Sequence, residues 1–228
     1  MKRLIALVFA LALPAANASA ADISAAPVQQ AYDWSGVYIG VQGGYGWGRG
    51  DWRDNVGYST ANDDVSPRGG LGGIHAGYNW QSGMWVLGIE GSWSYADISR
   101  TEQTPSGSST RETRFRDIAT LTGRVGAAVG DTSFLYLRGG YANARINTHS
   151  LNTFGTSSDQ GSRRSGYVIG VGWDYAFAPN WIAGLEFDHM DFGSKFLGSE
   201  FNTGPCTGCG SNIDASLSTV TARVSYKF

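Results

Sequence analysis

The sequence predicts an all-β fold, an eight-stranded antiparallel up-and-down transmembrane β-barrel with four long extracellular loops and three short periplasmic turns. Three observations predict it. Apolar and small or polar residues alternate with a period of two in eight separate runs. Tight-turn signals and long polar connections alternate strictly between those runs. The composition sets 33 glycines and 13% aromatics beside only 16% charged residues, against ~25% charge in an average soluble domain. The same composition excludes disorder, because bulky apolar side chains are common and net charge is small. The glycines follow no three-residue period, so a collagen-like chain is excluded. With net charge −2 and pI near 5.9, and no basic stripe, no nucleic-acid partner is expected.

The first segment is an address. Lys2 and Arg3 precede an apolar run from Leu4 to Leu13, and Ala18-Ser19-Ala20 follows. A positive start, a short apolar stretch and an A-x-A site make residues 1–20 a secretory signal peptide. That apolar run is too short to span a ~30 Å hydrocarbon core as a helix. Residues 21–33, with Pro27 among small or polar side chains, read as an unstructured periplasmic lead. Residues 34–228 read as the barrel. The mean hydropathy of −0.20 looks soluble, but alternation hides an apolar face from any such average.

The eight runs follow in order. In the first, Val37, Ile39, Val41, Tyr45 and Trp47 alternate with Tyr38, Gly40, Gln42, Gly44 and Gly46. The second sets Ile74, Ala76, Tyr78 and Trp80 against Gly73, His75, Gly77 and Asn79, and the third Trp85, Leu87, Ile89, Trp93 and Tyr95 against Val86, Gly88, Glu90, Ser92 and Ser94. The fourth opposes Phe115, Ala119, Leu121, Val125, Ala127 and Val129 to Thr120, Thr122, Arg124 and Gly126. The fifth opposes Leu135, Leu137 and Tyr141 to Tyr136, Arg138, Gly140 and Ala142. The sixth carries Tyr167, Ile169, Val171, Trp173, Tyr175 and Phe177 against Gly166, Gly170, Gly172 and Asp174. In the seventh, Trp181, Ala183, Leu185 and Phe187 face away from Gly184, Glu186 and Asp188. The last sets Val220, Ala222, Val224, Tyr226 and Phe228 against Thr219, Thr221, Arg223, Ser225 and Lys227.

Runs two and three join through Ser82-Gly83, four and five through Gly130-Asp131, six and seven through Pro179-Asn180. The other connections, roughly 49–69, 97–113, 143–164 and 194–212, are long and polar. In a meander this puts every long loop at one end. The bulky face faces lipid, because an eight-stranded barrel has an interior only wide enough for packed side chains. A face of glycine, serine, threonine and isolated charges suits that interior. Closure also removes the sheet edges that hydrocarbon forbids. Aromatics gather as two girdles: Tyr78, Trp80, Trp85, Tyr175, Phe177, Trp181, Tyr226 and Phe228 near the short turns, and Tyr45, Trp47, Trp93, Tyr95, Phe115, Tyr141 and Tyr167 near the long loops.

The stretch Asp33-Trp34-Ser35-Gly36-Val37-Tyr38-Ile39-Gly40 resembles the D-W-[ST]-G-x-Y-x-G opening of the small porin-like outer-membrane barrels of alphaproteobacteria. Pro179-Asn180-Trp181 and the run Glu186 to Gly193 resemble that family's P-N-W and E-Y-x-Y-x-D-[FL]-G patterns, with Phe187 and His189 where relatives often carry tyrosine. Val224, Tyr226 and Phe228 are similar to the C-terminal aromatic signal read by the outer-membrane assembly machinery. The resemblance covers the whole mature chain. It implies an eight-stranded barrel related in architecture to the OmpA transmembrane domain, located in the cell outer membrane. Relatives are described as structural surface proteins and antigens, and some as hemin binders.

Glu90, Asp174, Glu186 and Asp188 point inward by parity, as do Arg124, Arg138 and Arg223. Buried charge is costly unless paired, so these should form a network across the lumen. It reads either as a gated ion path or as a plug; eight strands leave little room for water, which favours the plug. Of the three histidines, His75 is inward among glycines, His149 lies beside Ser150 in a long connection, and His189 tops the seventh run. None shows a nucleophile-elbow or H-x-S spacing, so no catalytic site and no cofactor are expected. No glycine run opens a helix, which excludes a phosphate-cradling nucleotide loop. Cys206 and Cys209 form a C-x-x-C in the last long connection. In an oxidising exterior they form a tight disulfide or remain free thiols; zinc would need two further ligands, and a thioredoxin-like pair would need a βα context. The loops carry Asp51, Asp54, Asp63 and Asp64, and Arg49, Arg53, Arg111 and Arg114 stand at the rim, placed to contact lipopolysaccharide phosphates.

Two functions fit. The first is a non-enzymatic outer-membrane protein that stabilises the envelope, contacts its lipid and lipopolysaccharide, and displays surface loops. The second is a porin-like or ligand-binding protein acting through its loops on hemin, a host ligand or small solutes.

Overall fold

The computed structural model describes residues 31–54, 64–65, 67–103, 109–152, 157–197 and 211–228. Residues 1–20, expected as a signal peptide, and most of the expected lead therefore lie outside the described residues. The strands are β1 (Gly36–Asp54), β2 (Asp64–Val65), β3 (Arg68–Ser82), β4 (Trp85–Gln103), β5 (Ser109–Val129), β6 (Ser133–Asn152), β7 (Ser157–Ala178), β8 (Trp181–Leu197) and β9 (Ser211–Lys227). Each long strand pairs antiparallel with the next, and β1 pairs with β9 to close the sheet. The two-residue β2 only augments the far end of β1, at Gly50↔Val65 and Asp51↔Asp64. Eight long strands thus make the barrel.

The register fixes its dimensions. Partners followed sideways from Tyr38 run through Gly77, Glu90, Thr122, Gly140, Val168, Met190 and Leu217 and return to β1 at Gly48. One circuit therefore climbs ten residues, about 33 Å at ~3.3 Å per residue, while crossing eight gaps of ~4.8 Å, or about 38 Å. Their ratio sets a strand tilt of about 41°, within the range such closure requires. The same lengths give a circumference of about 51 Å and a backbone radius of about 8 Å, which side chains fill.

The alternation expected from sequence appears as alternating exposure. Ile39, Val41, Ile74, Leu87, Ile89, Leu121, Leu137, Ile169 and Leu185 face outward and are exposed. Trp80, Trp85, Phe177, Trp181 and Phe228 ring the outer surface toward the short turns, and Tyr45, Trp47, Trp93, Tyr95, Tyr141 and Tyr167 ring it toward the long connections. Trp85 and Tyr95 lie ten residues apart on β4; at the tilt above this separates the girdles by about 25 Å, the height of an outer-membrane apolar band. Two short turns have glycine at a left-handed corner, Gly83 (φ 61°) and Gly130 (φ 63°).

The strands run further than alternation marks them. Segments 97–103, 109–113, 143–152 and 157–164, expected as loop, continue the hairpins, and the β5–β6 ladder reaches Ser109↔Asn152. Beyond the girdles the outward positions turn polar, as at Asp97, Arg145 and Arg163, so the apolar side of the pattern disappears while Ile98 and Ala144 stay packed inside and the backbone ladder persists. What remains of each long connection lies outside the described residues.

Candidate functional site

The lumen is filled in three layers. Nearest the short turns, Trp34, Val86, Phe134, Tyr136, Ala176 and Ile182 form an apolar and aromatic floor. Trp34 stands 5.3 Å from Phe134, and Phe134 is stacked 5.0 Å from Tyr136. Toward the long connections, Ile98, Ile118, Val168, Met190, Phe192 and Leu217 lead a second apolar cluster. Between them lie the charges.

The seven charges expected to form the lumen network, Glu90, Asp174, Glu186, Asp188, Arg124, Arg138 and Arg223, meet in that middle layer, each almost fully buried. Glu90 on β4 is the hub. Its carboxylate pairs with Arg223, with Arg138 Nη1 at 3.3 Å and with Arg124 Nη1 at 3.5 Å, and accepts a hydrogen bond of 2.8 Å from the Tyr38 hydroxyl. Glu186 on β8 pairs with Arg138 and Arg223 and accepts from the Tyr136 hydroxyl at 3.0 Å. Arg124 reaches Asp174 at 3.4 Å, donates to Asn79 Oδ1 at 2.9 Å, and lies 4.5 Å from the Tyr38 ring centre and 5.1 Å from that of Tyr136. Asp188 is the loosest member: its Oδ1 lies 3.6 Å from Arg138 Nε and makes no hydrogen bond. Four carboxylates thus face three guanidiniums, bridged by neutral donors.

Local sequence makes the space. A Cβ on Gly77 would overlap the Tyr38 hydroxyl, one on Gly172 the Tyr136 ring, one on Gly184 the Asp174 carboxylate and one on Gly170 that of Asp188. Inward glycines are sockets for large neighbours one strand away. Sequence reasoning missed Tyr38, Tyr136, Asn79 and Thr120 as members of the network; the signal was bulky or amide side chains at inward parity opposite glycine. It also missed that Trp34 belongs to the floor.

The end of the lead closes the short-turn mouth without regular secondary structure. The Tyr32 amide donates to the Asp131 carbonyl at 2.8 Å and the Trp34 amide to Gln81 Oε1 at 2.7 Å. Lys227 on β9 donates to the carbonyls of Asp33 and Ser35. Burial, with the Asp33 charge beside it, pushes the Tyr32 hydroxyl up to about 12, while the Ser35 amide bonded to Asp33 at 2.9 Å holds that carboxyl below its usual value.

A barrel of this construction, lipid-facing outside and packed within, has a matching family model. The model described as outer membrane protein beta-barrel domain matches residues 5–228. The chain belongs to that family. A 31 kDa outer-membrane immunogenic protein of Brucella melitensis is 30% identical over 211 residues, covering 82% of this chain and 85% of the relative, and its counterpart from Brucella suis matches equally. Among solved structures, outer membrane protein OprG of Pseudomonas aeruginosa is similar at 12% identity and a TM-score of 0.48, covering 88% of this chain and 99% of OprG. This outer-membrane barrel is thus a protein of the cell outer membrane, from the small-barrel family of alphaproteobacteria.

The remaining candidates of the barrel fall in three places. His75 Nε2 lies 2.7 Å from Ser225 Oγ inside the lumen, and its Nδ1 has no partner. His189 Nδ1 lies 3.0 Å from Ser218 Oγ on the outer face. The backbone of His149 is in β6, paired with Glu112 and Asp159; its side chain, with those of Ser150, Arg53 and Arg111, lies outside the described residues, as do Cys206 and Cys209. Val224 faces outward, and Tyr226 stacks edge-on between Trp181 (5.3 Å) and Phe228 (5.1 Å), where the Phe228 amide donates to the Val37 carbonyl at 3.0 Å.

Proposed function

We propose that this barrel is a non-conducting, non-enzymatic structural protein that stabilises the outer membrane, contacts its lipids through two aromatic girdles, and carries surface-displayed loops on a rigid base. The closed ionic layer carries the reading. Glu90 and Glu186 are clamped by Arg124, Arg138 and Arg223 from strands around the circumference, and apolar layers cap the network above and below. An ion crossing would have to displace packed side chains at both caps and break pairs between them. A non-enzymatic role is supported by the chemistry of the two Ser–His pairs. No carboxylate orients His75 Nδ1 and Ser225 is buried beneath it, while His189 contacts Ser218 through Nδ1 with no carboxylate among the described residues bonded to its ring, so neither pair offers an oriented base and an accessible nucleophile together. Surface display is supported by the name of the Brucella relative, an immunogenic outer-membrane protein. The C-terminal Val224, Tyr226 and Phe228 act as the assembly signal in this reading. Planar-bilayer recordings of the purified, folded chain should give no stable conductance. Reproducible single-channel steps that vanish on heat unfolding would overturn the proposal.

A further inference from the structure

On the outer surface, where β1 and β9 close the barrel, a cleft of about 510 Å³ is lined by Tyr45, Trp47, Arg49, Arg68, His189 and Ser218. Register explains the gathering. Trp47 pairs with Arg68 on one side and Ser218 on the other, and Ser218 pairs with His189, so these four form one row across four strands. Arg49 stands one step further from the membrane, paired with Ser216. One step nearer the membrane centre the row turns apolar, with Tyr45, Val220 and Phe187. Below it, Leu135, Val171, Trp173, Leu185, Phe187 and Val220 line a shallow apolar groove of about 260 Å³. Phe187, which lines the groove, links the two depressions: its ring lies 6.2 Å from that of Trp47, which lines the cleft.

Among the described residues, neither Arg49 nor Arg68 has a carboxylate partner, and both are exposed. Of the described carboxylates on the same face, Asp191 is engaged elsewhere, accepting from the Tyr167 hydroxyl at 3.3 Å and from the Gly193 amide at 2.7 Å, and Asp97, diagonal to Arg68 across the β3–β4 pair, makes no ion pair with it. The His189 ring spends Nδ1 on Ser218 and keeps Nε2 unengaged. Two unpaired guanidiniums at the level of the Trp47 girdle, above an apolar groove, match a lipid whose headgroup bears phosphate and whose acyl chain runs down the wall. Pairing Trp47 with Arg68 places Arg49 on the diagonal, about 7–8 Å away between backbones. That spread suits two phosphate contacts on a broad headgroup better than one on a narrow one. The cleft lies at the end away from the short turns, in the leaflet that carries phosphorylated glycolipid.

We propose that this face is a binding site for a phosphorylated glycolipid of the outer leaflet, with Arg49, Arg68 and His189 on its phosphates and the groove beneath on an acyl chain. Because the site spans the β1–β9 junction, the bound lipid staples the seam where the two ends of the barrel meet. The test uses the full folded chain in phosphatidylcholine nanodiscs doped with bis-phosphorylated lipid A, in EDTA so that no divalent cation bridges the contact. Native mass spectrometry reads the lipid retained. Lipid A should be retained at least tenfold better than the same lipid A dephosphorylated or than phosphatidylglycerol. The double variant R49Q/R68Q should lose at least tenfold, and R145Q, whose guanidinium pairs with Asp117 at 3.4 Å away from the cleft, should lose nothing. Heat-modifiable gel mobility verifies folding, and the dephosphorylated arm uses the unaltered chain. Equal retention of phosphatidylglycerol, or unchanged retention by folded R49Q/R68Q, would sink the proposal.

Discussion

Glu90→Gln is the sharpest perturbation of the lumen. It leaves the shape nearly unchanged and removes one negative charge beneath three guanidiniums. Glu90 faces Arg223, Arg138 at 3.3 Å and Arg124 at 3.5 Å, and the residue is 2% exposed, so no water replaces the lost charge. Removing one member of a buried ionic cluster costs ~3–5 kcal/mol, because the partners stay buried and uncompensated. Glutamine Oε1 still accepts from the Tyr38 hydroxyl, and Glu186 still holds Arg138 and Arg223. Those retained contacts set the expectation at the lower end, about 3 kcal/mol. The assay is reversible urea unfolding in short-chain phosphatidylcholine vesicles, followed by tryptophan fluorescence and by heat-modifiable gel mobility. Combining Glu90→Leu with Arg223→Met should recover at least ~1 kcal/mol relative to the sum of the single changes, the signature of direct coupling. A loss below ~1 kcal/mol for Glu90→Gln, or strict additivity in the double variant, would refute a network with Glu90 at its centre.

Other expectations follow from the floor, the sockets and the lead. Trp34→Ala empties the floor beneath Phe134 and should cost ~3–5 kcal/mol in the same urea titration, while bilayer recordings stay silent because the ionic layer above is intact. Gly172→Ala drives a methyl into the Tyr136 ring and should cost ~1–3 kcal/mol; Gly43→Ala, facing outward with only the Leu71 carbonyl 3.8 Å away, should stay within ~0.5 kcal/mol of wild type. Tyr32 has a folded-state pKa raised from 10.0 to about 12, so its contribution is complete below pH 10 and lost as pH rises from 10 through 12. Unfolding midpoints of wild type should therefore fall more steeply over that window than those of Tyr32→Phe. At neutral pH the variant should match wild type, since the buried Tyr32 hydroxyl makes no hydrogen bond. Parallel curves for the two chains above pH 10 would count against a buried, neutral Tyr32.

The membrane-embedded part of the fold was legible because lipid and lumen impose opposite demands on successive residues. Val37, Leu87 and Ile169 had to face out, and Glu90, Arg124 and Glu186 had to face in, on sequence parity alone. The hairpin extensions were not legible. At Asp97, Arg145 and Arg163 the outward face has already turned polar and exposed, and alternation of bulky apolar with small residues has no reason to persist. Membership of the ionic layer was legible for charged side chains, since parity and the cost of unpaired charge suffice. Its depth order was not, because parity fixes the side of the sheet and not the height. Tyr38 on β1 and Glu90 on β4 meet because both pair with Gly77 of β3, which has no side chain to separate them; that alignment belongs to the register of three strands and to no single one. The outer cleft was half legible. Arg49 stood at the rim, but its companion Arg68 comes from β3 through the β1–β3 register, and His189 from β8, which only the β1–β9 seam brings near it.

The ionic layer also selects the register, whatever its net contribution to stability. Sliding β5 by one residue would carry Arg124 to the lipid face, at ~2–4 kcal/mol near the bilayer midplane. The same slip would turn Leu121 and Val125 into the lumen and strip Asn79 and Asp174 of their partner. Equivalent slips of β6 or β9 would expose Arg138 or Arg223 and take from Glu186 one of its two guanidinium partners. An apolar lumen would carry no such penalty, because leucine in lipid and leucine in a core are nearly equivalent solvents for each other. A barrel that must close with one shear out of several therefore benefits from charges that are tolerable in only one alignment. The glycines set beside them act in the same direction, since Gly172 accommodates Tyr136 and Gly184 accommodates Asp174 at a single offset between neighbouring strands.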